Sequence, residues 1–388
     1  MAYWDLNRIR NRLLEASALA SLIAFLSGSV VTAQNFQGNG PTRMPASFPT
    51  PDIVLRDASH KEPKSGVQLQ GGQLTIASGV GTPTAINVLS FSADGKILAA
   101  GKDFGRVVLW NVAEKKFLRA IETDQGIVNA VSMSADGKSL ATSGNQDHYS
   151  AKIWDASSGT LVWTFKESTA PIHRLFFDAE GKWLVIESNA SNVLVVDMVT
   201  HKIVATIPDI HTTAMSRDGK TLVTSDGKEF AVWSPPTWTK TQAVAKSPVT
   251  KNYSLLLAAD PGKDQLAFYE MRSIRTIQLS TGQTVLNRND LVSKSFTSAP
   301  DFGAFSTDAT LLYLSLDSRL TILSTKSRDV CTSPVMYSGA AALSPDGRWF
   351  AGAKNDSIMS KERTDGVWVW SNAELLKKCG FELSPIVK

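Results

Sequence analysis

Several common chemistries find little to work with in this sequence. Two cysteines in 388 residues exclude a small fold built from disulfides. The five histidines, His60, His148, His173, His201 and His211, show no metal-ligand spacing. No glycine-rich phosphate loop precedes a helix, and no Gly-x-Ser-x-Gly elbow occurs, so neither a cofactor nor a catalytic residue is expected. Charge of one sign is also scarce: 40 Lys plus Arg against 36 Asp plus Glu leave a net +4. Spread over a surface, that surplus attracts nucleic acid or anionic membrane only weakly. Past the N-terminus no apolar run is long enough to cross a bilayer. What is present is 43% apolar residues, enough for a large core, which rules out a wholly disordered chain.

Residues 1–33 read as an address. Arg8, Arg10 and Arg12 form a basic region, and Ala16 to Leu26 a short apolar core. Val31-Thr32-Ala33 then offers small residues for cleavage after Ala33, the pattern of a secretory signal. The expected location is therefore periplasmic or extracellular, with no stable membrane span once the segment is cut. Residues 34–66 hold Pro41, Pro45, Pro49, Pro51 and Pro63 and few apolar side chains, which predicts a mobile linker.

The rest of the chain, 67–388, repeats. Phe91-Ser-Ala-Asp94-Gly95-Lys96 returns as Met133-Ser-Ala-Asp136-Gly137-Lys138, and then as Phe177-Asp-Ala-Glu180-Gly181-Lys182. Further copies are Met215-Ser-Arg-Asp218-Gly219-Lys220 and Leu343-Ser-Pro-Asp346-Gly347-Arg348, with weaker ones around Asp260 and Asp308. A second phrase follows each, an alternating apolar run ending at Trp110-Asn111, Trp154-Asp155, Val196-Asp197, Trp233-Ser234, Gln278-Leu279, Leu323-Ser324 or Trp370-Ser371. Asp-Gly between alternating runs is a hairpin signal, because glycine accepts the positive φ of a tight turn. Each period of about 42 residues thus makes a four-stranded antiparallel meander, too thin to stand alone. Seven of them ringed about an axis bury both faces of each, so the fold class is all-β, a seven-bladed β-propeller.

These phrases resemble the WD-repeat β-propellers, over roughly Thr84 to Phe381, and the chain is similar to an exported, bacterial member of that family. The family's Asp, seven residues before the Trp, is matched by Asp103, Asp147 and Asp226, while Asn189, Met271, Leu316 and Arg363 depart from it. The family's Gly-His pair is missing from every blade, so its Asp–His–Ser/Thr–Trp brace cannot be assembled in full. The resemblance implies a protein-interaction scaffold with protein partners and no chemistry of its own. The alternative is an enzyme or a small-ligand or ion sensor at the channel mouth.

Four further expectations concern particular residues. Asn87, Asn129, His173 and His211 start successive innermost strands, and would form either a polar ring for a ligand or plain strand-start hydrogen bonds. Trp163, Trp183, Trp238, Trp349 and Trp368 lie off the repeat register and would be interface anchors wherever exposed. Cys331 and Cys379 pair if the helical-looking Ala373 to Lys378 swings across, and stay apart if they keep equivalent places on neighbouring blades. To close the ring, Val67–Gln70 or Gln73–Ile76 is expected beside Val367 to Trp370. The alternative for that place is Phe381 to Val387.

Overall fold

A computed structural model describes residues 42–43, 48–57, 67–70, 73–76, 85–146, 149–245, 255–270, 272–291, 299–336, 340–354 and 366–381. The expected signal segment, most of the expected linker, His60, Asp147, His148, Met271, Arg363 and residues 382–388 lie outside them.

Seven blades of antiparallel strands follow one another. Blade 1 is Ile86–Phe91, Ile97–Lys102, Arg106–Asn111 and Lys116–Glu122, and blade 2 is Val128–Met133, Ser139–Gly144, Ala151–Asp155 and Leu161–Phe165. Blade 3 is Ile172–Phe177, Trp183–Ser188, Asn192–Asp197 and Ile203–Pro208, and blade 4 is Thr212–Met215, Leu222–Ser225, Glu229–Ser234 and Thr239–Ala245. Blade 5 is Leu255–Asp260, Gln265–Glu270, Ser273–Gln278 and Thr284–Arg288, and blade 6 is Gly303–Phe305, Leu311–Leu316, Arg319–Ser324 and Val330–Met336. Blade 7 has Ala341–Leu343, Trp349–Lys354 and Gly366–Ser371. One helix, Asn372–Cys379, follows them among the described residues; none there is long and apolar enough to cross a membrane.

The repeated phrase is a self-closing turn. Ser92 Oγ donates to Asp94 Oδ1 (2.8 Å) and accepts from the Ile97 amide (3.0 Å), while Gly95 takes φ 67°. Blades 2, 4, 6 and 7 repeat it with Ser134–Asp136, Ser216–Asp218, Ser306–Asp308 and Ser344–Asp346. Blade 3 substitutes Asp178 for the serine, accepting from the amides of Glu180 and Trp183. The Lys138 amide and the Ser134 hydroxyl hold the Asp136 carboxyl below the usual carboxylate range.

The core is divided as the thin-blade argument requires. Seven apolar clusters lie one between each pair of neighbours; Leu109, Leu140 and Trp154 belong to the one between blades 1 and 2. Side-chain hydroxyls stitch the innermost strands: Ser90 accepts from the Met133 amide (3.2 Å) and Ser132 from that of Phe177 (3.0 Å). Between blades 5 and 6, the Arg288 guanidinium is 2% exposed and grips Asp290 through Nε and Nη2 (2.7 and 2.6 Å), while Nη1 donates to the Arg328 carbonyl (2.7 Å). Those bonds hold the Asp290 carboxyl low. Asp290→Asn, leaving a buried cation without its counter-charge, is expected to cost about 3 kcal/mol in urea unfolding at pH 7. The carboxyl is lower in the folded state, so its contribution is complete above about pH 5 and fades as pH falls through the folded value. The difference between wild type and variant should therefore shrink on acidification.

Closure corrects the expected connectivity. The outer strand of blade 7 is Ile53–Leu55, antiparallel to Val367–Val369, within the stretch expected to be a linker. Val67–Gln70 and Gln73–Ile76 pair only with each other, so neither fills that place. Phe48 meets Trp370 edge-on (6.2 Å), and the indole N–H of Trp370 donates to the Pro49 carbonyl (3.0 Å). On the other side, Trp110 donates to the Arg56 carbonyl (3.0 Å) and Arg106 binds Asp57 (2.8 Å). The physical reason is local: Pro49 and Pro51 fix φ and lower the entropy lost on laying this segment down. Farther upstream, Thr42–Arg43 runs parallel to Val330–Cys331 as a fifth strand on blade 6.

The helix Asn372–Cys379 turns back from blade 7 onto blade 6. Its Asn372 accepts from the buried Tyr313 hydroxyl (2.8 Å), and Leu375 and Leu376 enter the apolar cluster between the two blades. There the sulfurs of Cys331 and Cys379 are bonded, with Cα atoms 5.5 Å apart.

Candidate functional site: the channel and the loops around its mouth

The innermost strands enclose a cavity of about 460 Å³, lined by apolar residues such as Val131, Leu175 and Leu257 and by Asn129 and His173. At the end where the Asp-Gly turns lie, Arg217 of blade 4 crosses the ring. Its guanidinium donates to the carbonyls of Phe305 (3.4 Å), Ser344 (3.4 Å) and Pro345, tying blade 4 to blades 6 and 7. Burial pushes this guanidinium below its ordinary value, and the nearby Tyr313, Asp346, Asp260 and Asp308 oppose that. Partway along the wall, Arg174 donates to Thr212 Oγ1 (3.3 Å) and the Thr213 carbonyl, and Thr213 donates to Glu187. These polar groups answer one another across the joint of blades 3 and 4.

The four strand-start residues are not brought together on that lining. Asn129 and His173 are on it, half-buried. Asn87 instead donates to Asp103 Oδ1 (2.9 Å), whose other oxygen accepts from the Ala85 amide (3.1 Å). His211 is exposed, its amide bonded to the Ser225 carbonyl (2.8 Å). His201 stacks on Trp163 at the outer edge, with ring centroids 4.3 Å apart. Among the described residues no three His, Cys, Asp or Glu side chains converge as metal ligands would.

The blade brace takes a form the sequence did not disclose. In blade 2 the Trp154 indole donates to Thr142 Oγ1 (2.9 Å), and that hydroxyl donates to Gln125 Oε1 (2.6 Å). Gln125 Nε2 completes the chain on the carbonyls of Thr142 and Ser150, so a buried glutamine bridges where no histidine is available. In blade 4 Trp233 donates to Thr224 Oγ1 (2.9 Å). Trp110 and Trp370 spend the same N–H on the closing segment.

None of the off-register tryptophans is exposed: Trp183 and Trp238 are buried, and Trp163, Trp349 and Trp368 half-buried. The exposed anchors are other residues. On the face where the innermost strands begin, Phe104, Ile127 and Tyr149 stand out from the loops of blades 1 and 2. Around the rim, Leu118, Val162 and Val204 occupy the bulged position of the outermost strand in blades 1, 2 and 3. Leu161 and Val199 lie beside them. Among the described residues, blades 4, 5 and 6 expose no large apolar side chain to that degree.

No family model matches the chain. It is 24% identical over 61% of its length to the cilia- and flagella-associated protein 52 of Chlamydomonas reinhardtii. It is 30% identical over 37% of its length to the pre-mRNA-processing factor 19 of Oryza sativa. An uncharacterised WD repeat-containing protein of Synechocystis is 45% identical over 14% of the chain. The matched stretch spans only 36%, 27% and 16% of those three proteins.

Proposed function

We propose that this chain, a WD-repeat β-propeller, is an exported scaffold that binds a protein partner and carries out no chemistry of its own. One observation carries the reading: among the described residues, the exposed large apolar side chains gather on blades 1 to 3, apart from Val54 in the closing strand. Isolated exposed apolar residues are ordinary, whereas a one-sided gathering marks an interaction surface. The small net charge favours a protein over a nucleic acid as the occupant. Export is supported by the basic and apolar character of residues 1–33, and a bonded cysteine pair suits an oxidising compartment.

The test is cross-linking in cells that export the tagged chain, followed by identification of the adducts and elemental analysis of the purified protein. A protein adduct at near-stoichiometric yield is expected. A bound metal ion at one per chain, with no protein adduct, would contradict the scaffold and favour ligand chemistry at the channel.

A further inference from the structure

We infer that the loops of blades 1 and 2 beside the channel mouth are a docking site for a protein segment that presents an aromatic or aliphatic side chain next to a lysine or arginine. The inference rests on the scaffold reading and gives it a place and a partner chemistry.

Three loops are joined into one surface. The Gly105 amide donates to the Gly126 carbonyl, and the Thr123 amide returns a bond to the Gly105 carbonyl (2.6 Å). Ile127 donates to Asn145 Oδ1 (2.8 Å), and the Asn145 amide donates to the Ile127 carbonyl (3.1 Å). Phe104, Ile127 and Tyr149 are therefore carried by a connected platform.

Phe104 and Tyr149 both hold φ of 59°. That left-handed conformation suits glycine and small polar residues and disfavours bulky ones. At the same turn the other described blades carry glycine or polar residues: Ser191 in blade 3, Gly227 in blade 4, Asp317 with Ser318 in blade 6, and in blade 5 the longer Arg272, whose charged end reaches water. Among the described blades, only blades 1 and 2 place an aromatic ring there. Phe104 is in addition 73% exposed, so backbone preference and hydration both oppose the residue that is present. A partner that buries the ring supplies what the free chain lacks.

Charge selects the partner. Asp124, exposed at φ 55° between Phe104 and Ile127, has a carboxylate with no partner among the described residues. Asp103 and Glu122 lie close along the chain. Arg106 pairs with Asp57 and Glu122, and Lys102 with Asp57, while Lys152 donates to the Thr123 carbonyl (2.7 Å) and keeps its charge. Around the rings the carboxylates of Asp57, Asp103, Glu122 and Asp124 still outnumber Lys102, Arg106 and Lys152, so the surplus is negative, which favours a basic flank on the incoming segment.

The experiment pans a phage-displayed random dodecapeptide library on the full chain and measures the enriched peptides by fluorescence polarisation. Phe104→Ser/Tyr149→Ser installs the kind of residue that other blades use at this turn, Asp124→Lys reverses the charge, and Val199→Ser is a rim control; each is checked for an unchanged melting curve. Enriched peptides should pair an apolar residue with Lys or Arg. They should lose at least tenfold in affinity on the double variant, several-fold on Asp124→Lys, and nothing on Val199→Ser. Peptides with acidic flanks, or ones that bind the double variant as tightly as wild type, would overturn the inference while leaving the scaffold standing. Failure to enrich any peptide, when cross-linking does capture a partner, would overturn it too.

Discussion

Replacing Cys331 and Cys379 together by serine is expected to destabilise the ring by about 4 kcal/mol, lowering the melting midpoint by roughly 6 °C. The bridge closes a loop of 48 residues, and on the chain-entropy account its loss returns that freedom to the unfolded chain. It also fastens the helix Asn372–Cys379, which belongs to blade 7 in sequence, onto the outer strand of blade 6. Reducing agent applied to the wild-type protein should reproduce the effect. Hydrogen exchange should rise first in the helix and the outer strand, since once the sulfurs part the helix is held only by the packing of Leu375 and Leu376 and the hydrogen bonds of Asn372 at its start. A shift under 1 °C would show that the helix needs no covalent tie.

Charging the closing strand should do comparable harm. Leu55 is 2% exposed and lies in the apolar cluster shared by blades 7 and 1. Leu55→Asp places a carboxylate there without a partner, and about 4 kcal/mol of lost stability is expected in urea unfolding. The next residue back is the control. Val54 faces water in the alternating pattern of this strand, so Val54→Asp should change stability by less than about 0.5 kcal/mol. Equal effects from the two would mean that Ile53–Leu55 does not close the ring.

The repeating architecture was legible because its signals are local. Ser-x-Asp-Gly closes a turn with its own side chains, and the strands beside it alternate, so one blade is written in consecutive residues. Closure was not legible. Ile53-Val54-Leu55 is three apolar residues among prolines, and its partner Val367–Val369 lies at the far end of the chain; the longer alternation at Val67–Ile76 drew the assignment instead. For the strand-start set the spacing left a polar ring and plain hydrogen bonding both open: it places Asn87 at the mouth, but the contact with Asp103, sixteen residues on, decides where its amide goes. Gln125 carries no motif, and only coordinates show it reaching Thr142. A signal for the loop surface was present. Asp103-Phe104-Gly105 reads as a turn, and an aromatic ring in a turn that blades 3 to 6 fill with glycine or polar residues is the anomaly that marks it.

The most direct test of the interaction surface is a photo-reactive benzoylphenylalanine placed at Phe104 or, on the same face of blade 4, at the exposed Lys228. Irradiation in the exporting cells should give a discrete protein adduct from position 104 and none from position 228. An adduct from 228 of equal yield, or none from 104 while the partner is still captured by general cross-linking, would contradict a docking face on blades 1 and 2.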